Sequence, residues 1–191
     1  YFGNNSCFLD RSWSVNGDRF QKSLCGGAWY AIRQANMGLK ALEDGLLKEA
    51  TQEQRDFIKG QLLFFRAWNY FELTSYWGGL PYITEPFAPD AQFNLPRETY
   101  QENADKMAKD FAEAAELLPI DWDATATGAP TKGNNAFRPN KIWAMAYQGK
   151  ALLYAGSPLM ANGVDAVNDT YKYDVEYCRK AAEVLGKVLA M

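Results

Sequence analysis

The chain has 191 residues and a formal net charge of −3, and its lysines and arginines form no basic stripe, so nucleic acid is not an expected partner. Histidine is absent from the composition, which excludes Ser-His-Asp and Cys-His triads, HExxH zinc sites and any histidine general base.

The first sustained apolar period begins near residue 28. Residues 1–27 mix Gly, Asn and Ser with isolated aromatic rings, and they are predicted to form a loop. Apolar side chains then recur at helical spacing from Trp29 to Leu42. This spacing predicts a first helix over residues 28–44 that ends near Gly45.

The second predicted helix covers residues 52–76 and is rich in aromatic side chains. Thr51 and Gln54 form a capping-box sequence at its start. The apolar stripe is too wide for a surface helix, so four rings are predicted to lie in the core: Phe64, Phe65, Trp68 and Phe71.

Two charged residues, Arg66 and Glu72, lie within this helix. We expect them to be buried or half-buried hydrogen-bond partners of loop carbonyls, because a buried charge needs a partner. For the rings that follow the helix, two roles stay open: packing of the connection onto the helices, or contact with a partner protein. These rings are Trp77, Tyr82 and Phe87.

Apolar stripes predict three further helices. They cover residues 96–118, 140–154 and 175–190. The first of them begins near Pro96, with a second capping-box sequence at Thr99 and Glu102. Residues 119–139 are rich in small and turn-forming side chains and are predicted to form a long loop, of the kind that is often functional.

Long amphipathic helices with hardly any alternating strand pattern predict an all-α architecture of stacked antiparallel helix pairs, similar to tetratricopeptide repeats. Residues 28–76 would form the first pair, 97–155 the second, and 174–190 the start of a third. A terminal helix without its partner exposes an apolar face. We therefore expect residues 1–191 to be one incomplete helical-repeat domain that belongs to a larger domain.

Four stretches, in this order, resemble the SusD/RagB family of outer-membrane lipoproteins. They are GAWYAIRQANMGLK (27–40), FFRAWNYFELTSYWGGLPYITEP (64–86), NLPRETYQENADKMAKDFAEAAELLP (94–119) and NKIWAMAYQGKALLYAGSPLMANG (140–163). In that family an Arg-Ala-Tyr-like helix leads into a Gly-x-Pro-Leu-type segment, then a Pro-Arg helix start, then an Ala-rich helix that ends in Ser-Pro-Leu. The usual Gly-(Asp/Gly)-Val-Pro-Leu stands here as Gly78-Gly79-Leu80-Pro81-Tyr82.

The resemblance implies a helical scaffold on the bacterial outer membrane that captures an oligosaccharide, or in some members a peptide. The captured nutrient would pass to a partner TonB-dependent transporter of the SusC type. Family members bind and do not catalyse, and no cofactor is implied, although some members hold a structural calcium ion. Membrane attachment would come only from a lipid anchor that is absent from this chain.

Two other classes of function remain as alternatives. The first is a protein-interaction module that binds a peptide or protein partner in the groove of the helical repeat. The second is a glycosidase that uses a pair of carboxylates, the enzymatic chemistry that a chain without histidine still permits.

Carbohydrate recognition needs an exposed aromatic face together with polar side chains that reach the sugar hydroxyls. The stretch DRSWSVNGDR at residues 10–19 fits this pattern, and it lies before the first helix, where the family resemblance places part of the glycan site. It sets Trp13 among four polar residues: Arg11, Asn16, Asp18 and Arg19. An ordinary polar loop with one anchoring tryptophan is the alternative.

A second candidate segment is Asp121-Trp122-Asp123, for which closing a helix end is the more ordinary interpretation. The cysteines, Cys7, Cys25 and Cys178, match no metal-site spacing such as C-x2-C, so no metal is expected. Cys7 and Cys25 could close a loop in an exported protein, whereas buried free thiols are the alternative that an odd count favours.

Overall fold

In a computed structural model the chain is helical, and the structure describes residues 22–88, 90–91, 94–162 and 172–191. The helices of these ranges are α1 (Lys22–Glu43), α2 (Gln52–Trp77), α3 (Tyr100–Leu117), α4 (Lys141–Ala155), α5 (Pro158–Asn162) and α6 (Val175–Leu189). Two short 3-10 turns, Trp122–Ala124 and Ala129–Thr131, lie between α3 and α4. No strand occurs in the described ranges, and the predicted all-α class is confirmed.

Each long helix packs against the next long helix: α1 on α2, α2 on α3, α3 on α4, and α4 on α6. Neighbouring helices are antiparallel. Trp29 of α1 lies against Tyr70 of α2, whereas Gly38, further along α1, faces Leu62, earlier in α2. Helices α2 and α4 also touch each other, which is the stacking expected of helix-pair repeats.

The centre of the core joins α2, α3 and α4. Phe111 of α3 is fully buried, and its ring centroid lies 5.6 Å from that of Phe64 on α2 and 6.0 Å from that of Tyr147 on α4. Aromatic pairs at such separations stabilise by about 0.5–1.5 kcal/mol beyond the burial of their area. These three rings therefore hold three helices together at one point.

The prediction of four core rings in α2 is only partly correct. Phe64 and Phe71 are 2% and 3% exposed, as expected, and Trp68 is half-buried, but Phe65 is 44% exposed. Successive residues of a helix point about 100° apart, since 3.6 residues make a turn. Phe64 and Phe65 consequently cannot both point at α3.

The predicted loop over residues 1–27 is wrong for residues 22–27, which form the first turns of α1. These turns contain Gly26 and Gly27, and each glycine in a helix costs about 1 kcal/mol relative to alanine. The next turns, however, bury Ala28 and Ile32. We attribute the extension of α1 to this burial, because packing of an apolar face supplies most helical stability in proteins.

Helix α3 begins at Tyr100 and not near Pro96. Thr99 is the N-cap, and its predicted capping box with Glu102 is confirmed. The residues before the N-cap are not helical, and the guanidinium of Arg97 among them donates to the carbonyl oxygens of Trp77 and Gly79, at and just beyond the end of α2. This long-range contact competes with helix formation in a way that a local pattern does not show.

The short helix α5 lies beyond residue 154, where the predicted fourth helix ends, and no pattern predicted it. Proline is favoured in the first turn of a helix, where its missing N–H would have no partner. Helix α4 ends at Ala155 with Gly156 as its C-cap, and Pro158 begins α5.

Gly78 caps the C-terminus of α2 in a conformation that other residues avoid. Its φ is 72° and its ψ is −157°, a region that is essentially restricted to glycine. We expect Gly78→Ala to lower the free energy of unfolding in urea by about 1–3 kcal/mol. Gly186 in α6, where a methyl group would meet open space, is the matched control. We expect Gly186→Ala to be neutral or stabilising by up to about 1 kcal/mol, and equal losses in the two variants would contradict this assignment.

Candidate functional site

The five residues predicted to contact a sugar lie outside the described residues, as does Cys7. They are Arg11, Trp13, Asn16, Asp18 and Arg19. Their role therefore stays a prediction, and the choice between a Cys7–Cys25 loop and free thiols stays open. This segment directly precedes α1 in the chain, so the surfaces of α1 are the first place where groups that act with it are expected.

A groove runs between α1 and the connection that follows α2, and we refer to it as the α1 groove. Its volume is about 350 Å³, at the lower end of the range for ligand pockets. Helix α1 contributes Trp29, Ile32, Arg33 and Asn36, and the connection contributes Ile83, Glu85, Pro86 and Phe87. The groove is therefore mainly apolar, with charged groups among its lining residues.

Two side chains of α1 hold the connection in place along this groove. Arg33 donates from Nη1 to the carbonyl oxygen of Phe87 at 2.9 Å, and Asn36 donates from Nδ2 to the carbonyl oxygen of Ile83 at 2.9 Å. Trp29 is half-buried and packs edge-on against Tyr70, with ring centroids 5.8 Å apart. Part of the tryptophan ring thus remains available on the groove side.

A second depression, of about 260 Å³, adjoins the α1 groove and shares Asn36, Glu85 and Pro86 with it. We refer to it as the polar depression. Its lining includes six charged residues: Lys40, Glu43, Lys59, Arg66, Glu85 and Glu113. Lys59 and Glu113 form an ion pair at 2.5 Å. The two depressions together make a surface with one apolar half and one charged half of mixed sign.

Behind the connection lies a buried ion pair between α2 and α3. Arg66 donates from Nε and Nη2 to the two carboxylate oxygens of Asp110, at 2.7 and 2.8 Å. Burial lowers the pKa of Arg66, but the hydrogen bonds and the charge of Asp110 outweigh burial and leave that pKa raised. The predicted burial of Arg66 is confirmed, and its Nη1 also lies 3.5 Å from the carbonyl oxygen of Thr84 in the connection. Glu72 is half-buried.

Two tyrosines attach the connection to this pair. Tyr82 stacks on Tyr70 with ring centroids 3.9 Å apart, and its hydroxyl donates to Asp110 at 2.8 Å. The Tyr70 hydroxyl accepts a hydrogen bond from the N–H of Ile83 at 2.6 Å. Burial raises the pKa of both tyrosines. Of the two roles left open for Tyr82, packing of the connection is the one confirmed.

Asp121-Trp122-Asp123 has a structural role. Trp122 is buried, packs against Phe57 with ring centroids 4.9 Å apart, and donates from Nε1 to the carbonyl oxygen of Pro139 at 2.9 Å. Asp121 caps the first 3-10 turn by accepting from the N–H of Asp123. The expectation that this segment closes a helix end is not met, because α3 ends at Leu117 with Leu118 as its C-cap and Asp121 instead begins the 3-10 turn.

A second aromatic surface lies on the outer sides of α2 and α4, and we refer to it as the α2–α4 face. Its exposed rings are Phe65, Tyr76, Trp143 and Tyr154. Lys150 lies between the helices, with its Nζ 4.9 Å from the ring centroid of Phe71. The α2–α4 face and the α1 groove are separate surfaces that share no lining residue.

Within the described ranges no cluster of three His, Cys, Asp or Glu side chains could hold a metal ion. In the same ranges no helix has both the length and the apolar character needed to cross a bilayer. Cys25 and Cys178 are half-buried in these ranges.

A family model described as "Starch-binding associating with outer membrane" matches residues 19–153. Because this match covers most of the chain, and the helices and motifs agree with it, the chain belongs to the SusD-like family. A comparison with curated protein sequences found no match.

Solved SusD-like structures have the same fold. A SusD superfamily protein from Parabacteroides distasonis has 17% identity and a TM-score of 0.73, over 98% of this chain and 35% of that one. A SusD-like carbohydrate-binding protein from Bacteroides fragilis has 19% identity and a TM-score of 0.66, over 97% and 31%. Surface glycan-binding protein A from Bacteroides uniformis has 17% identity and a TM-score of 0.65, over 88% and 32%. The chain thus spans about a third of these proteins.

Proposed function

We propose that this chain forms part of a surface protein that captures an oligosaccharide for nutrient uptake and does not cut it. The observation that carries this proposal is the family match over residues 19–153, because the family description names starch binding and association with the outer membrane. Two of the structurally similar proteins are described as a carbohydrate-binding protein and a surface glycan-binding protein. The missing histidine agrees with capture without catalysis.

The α1 groove supports this proposal because its chemistry suits a hydroxylated ring. A pyranose presents an apolar C–H face that can stack on Trp29. Its hydroxyls both donate and accept hydrogen bonds, so they can pair with the donor-only guanidinium of Arg33 and with the acceptor-only carboxylate of Glu85. Arg33 and Glu85 are exposed, and the guanidinium keeps N–H groups besides the one that bonds Phe87, so both side chains can reach a ligand hydroxyl. The mixed signs favour a neutral ligand over an ionic one.

The segment at residues 10–19 is proposed to supply the second part of the binding site. It precedes α1 directly, and the α1 groove runs along the middle of α1, from Trp29 to Asn36. In this proposal Trp13 stacks on a sugar ring, and four polar residues reach its hydroxyls: Arg11, Asn16, Asp18 and Arg19. The bound oligosaccharide would then pass to a SusC-type TonB-dependent transporter, from a protein anchored to the outer membrane by a lipid.

We expect Trp13→Ala to weaken binding of maltoheptaose by about tenfold or more in the full-length protein, because the loss of a stacked ring at the centre of a site costs about 2 kcal/mol. Calorimetric titration measures the affinity, and urea unfolding checks that stability is unchanged. Trp143→Ala, which removes a half-exposed ring of the α2–α4 face, is the matched control and should bind like the wild type. Unchanged affinity of Trp13→Ala would remove Trp13 from the site.

A protein-interaction module is the second candidate function, and the exposed rings of the α2–α4 face are the observation that favours it. A glycan array and a peptide pull-down on the same preparation separate the two classes. Capture of a peptide without any glycan signal would contradict glycan capture and support the protein-interaction module. Release of sugar from a polysaccharide by the pure protein would instead revive a carboxylate-pair glycosidase, because capture alone liberates nothing.

A further inference from the structure

The residues of the connection that line the α1 groove form the groove wall. The side chain of Asn36 links this wall to the buried ion pair. Asn36 is 1% exposed and lies between Arg66 and the connection. Its Oδ1 accepts a hydrogen bond from Nη1 of Arg66 at 3.1 Å, and its Nδ2 donates to the carbonyl oxygen of Ile83 at 2.9 Å. One side chain thus joins the core of α2 and α3 to the groove wall.

The chemistry of arginine determines which way this amide points. A guanidinium only donates hydrogen bonds, so the amide oxygen of Asn36 must face Arg66. The amide nitrogen then faces the carbonyl oxygen of Ile83, which only accepts. The opposite orientation would place donor against donor and acceptor against acceptor. Arg66, itself fixed by two hydrogen bonds to Asp110, therefore fixes Asn36.

Asp110 acts on the same wall by a second route. It accepts a hydrogen bond from the Tyr82 hydroxyl at 2.8 Å, and Tyr82 directly precedes Ile83. Three consecutive residues of the connection are consequently held, of which Ile83 lines the α1 groove. Asp110 holds Tyr82, Asn36 and Tyr70 hold Ile83, and Arg66 holds Thr84 by a longer contact.

We propose that Arg66, Asp110 and Asn36 are positioning residues that set the distance between the connection and α1, and hence the width of the α1 groove. Arg66 and Asp110 act through the connection, because neither lines the α1 groove, whereas Asn36 lines it directly. The consequence for glycan affinity rests on the function proposed above, whereas the positioning of the wall does not.

Asn36→Asp tests this proposal by replacing only the side-chain NH2 group with an oxygen. The carboxylate keeps the acceptor for Arg66 but removes the donor for Ile83, so two acceptors face each other at the wall. We expect amide hydrogen exchange of the peptide covering residues 80–87 to become about tenfold faster, the factor that corresponds to the loss of one buried hydrogen bond. Exchange in α3 should stay close to that of the wild type.

Asn69→Ala is the matched control. Asn69 is also a buried asparagine and donates to the carbonyl oxygen of Phe65 within α2, without reaching the connection. A general loss of stability would raise exchange in both variants, whereas positioning raises it over residues 80–87 in Asn36→Asp alone. Equal exchange of that segment in the two variants would overturn the proposal. If Asn36→Asp fails to fold, Asn36→Ala removes the same donor and is judged by the same criterion.

Maltoheptaose titration of the same full-length variants gives the second readout. We expect Asn36→Asp to bind at least about threefold more weakly and Asn69→Ala to bind like the wild type, because only the first changes the groove wall. Equal affinities of all three proteins would overturn the effect on the site. A wild type that binds no glycan would instead contradict the proposed function, and the exchange contrast would still decide whether the wall is positioned in this way.

Discussion

Replacing Asp110 by alanine should lower the free energy of unfolding by about 3–5 kcal/mol, because it leaves the guanidinium of Arg66 buried without its charged partner. Both side chains of the pair are less than a tenth exposed, so water cannot replace the lost carboxylate. The same change removes the acceptor for the Tyr82 hydroxyl. Urea unfolding followed by circular dichroism measures the loss.

A double replacement separates the effect of removing the whole ion pair from the effect of leaving one buried charge without its partner. Arg66→Met with Asp110→Leu removes both charges and fills the space with apolar groups, and we expect it to be less destabilising than Asp110→Ala alone. The exposed pair of Lys59 and Glu113 is the control, since Glu113→Ala should cost no more than about 1 kcal/mol. A loss for Asp110→Ala as small as that of Glu113→Ala would show that the buried pair does not hold α2 and α3 together.

Replacing Phe64 by alanine should cost about 3–5 kcal/mol, whereas the same change at the next residue, Phe65, should cost much less. Phe64 is 2% exposed and touches the rings of Phe111 and Tyr147 on two other helices, so truncation leaves a cavity at the point where three helices meet. Phe65 is 44% exposed and can lose part of its ring without creating a cavity.

The comparison uses one chemical change at two neighbouring positions of the same helix, so helix propensity cancels between the variants. Thermal and urea unfolding of Phe64→Ala and Phe65→Ala give the two free energies. Similar losses at both positions, or a larger loss at Phe65, would mean that the described burial of the α2 stripe is wrong.

Most of the helices could be predicted from local patterns. The capping boxes at Thr51 and Thr99 and the stripe of α6 depend on residues within a few turns of each other, and the structure contains all three elements. The family motifs were likewise local. The N-terminal extension of α1 and the late start of α3 were missed, since each depends on contacts with residues far away in the chain.

The groove and the ion pair could not be predicted from spacing. Arg66 and Asp110 lie on different helices, and Asn36 lies on a third, so only the packing of α1, α2 and α3 brings them together. Of these three residues, only Arg66 could be predicted to be buried, because it is a charged residue within an apolar stripe. The binding site at residues 10–19 stays a prediction. The α1 groove is the described surface that is proposed to form the other part of that site.

The central claim is that the protein captures a glycan and leaves it intact, and calorimetric titration of the full-length wild type with maltoheptaose and a panel of other oligosaccharides tests it most directly. We expect one sugar class to give a saturating isotherm in which the heat returns to baseline after each injection. Heat that continues after each injection, together with new reducing ends, would show cleavage. No binding heat with any sugar would contradict glycan capture.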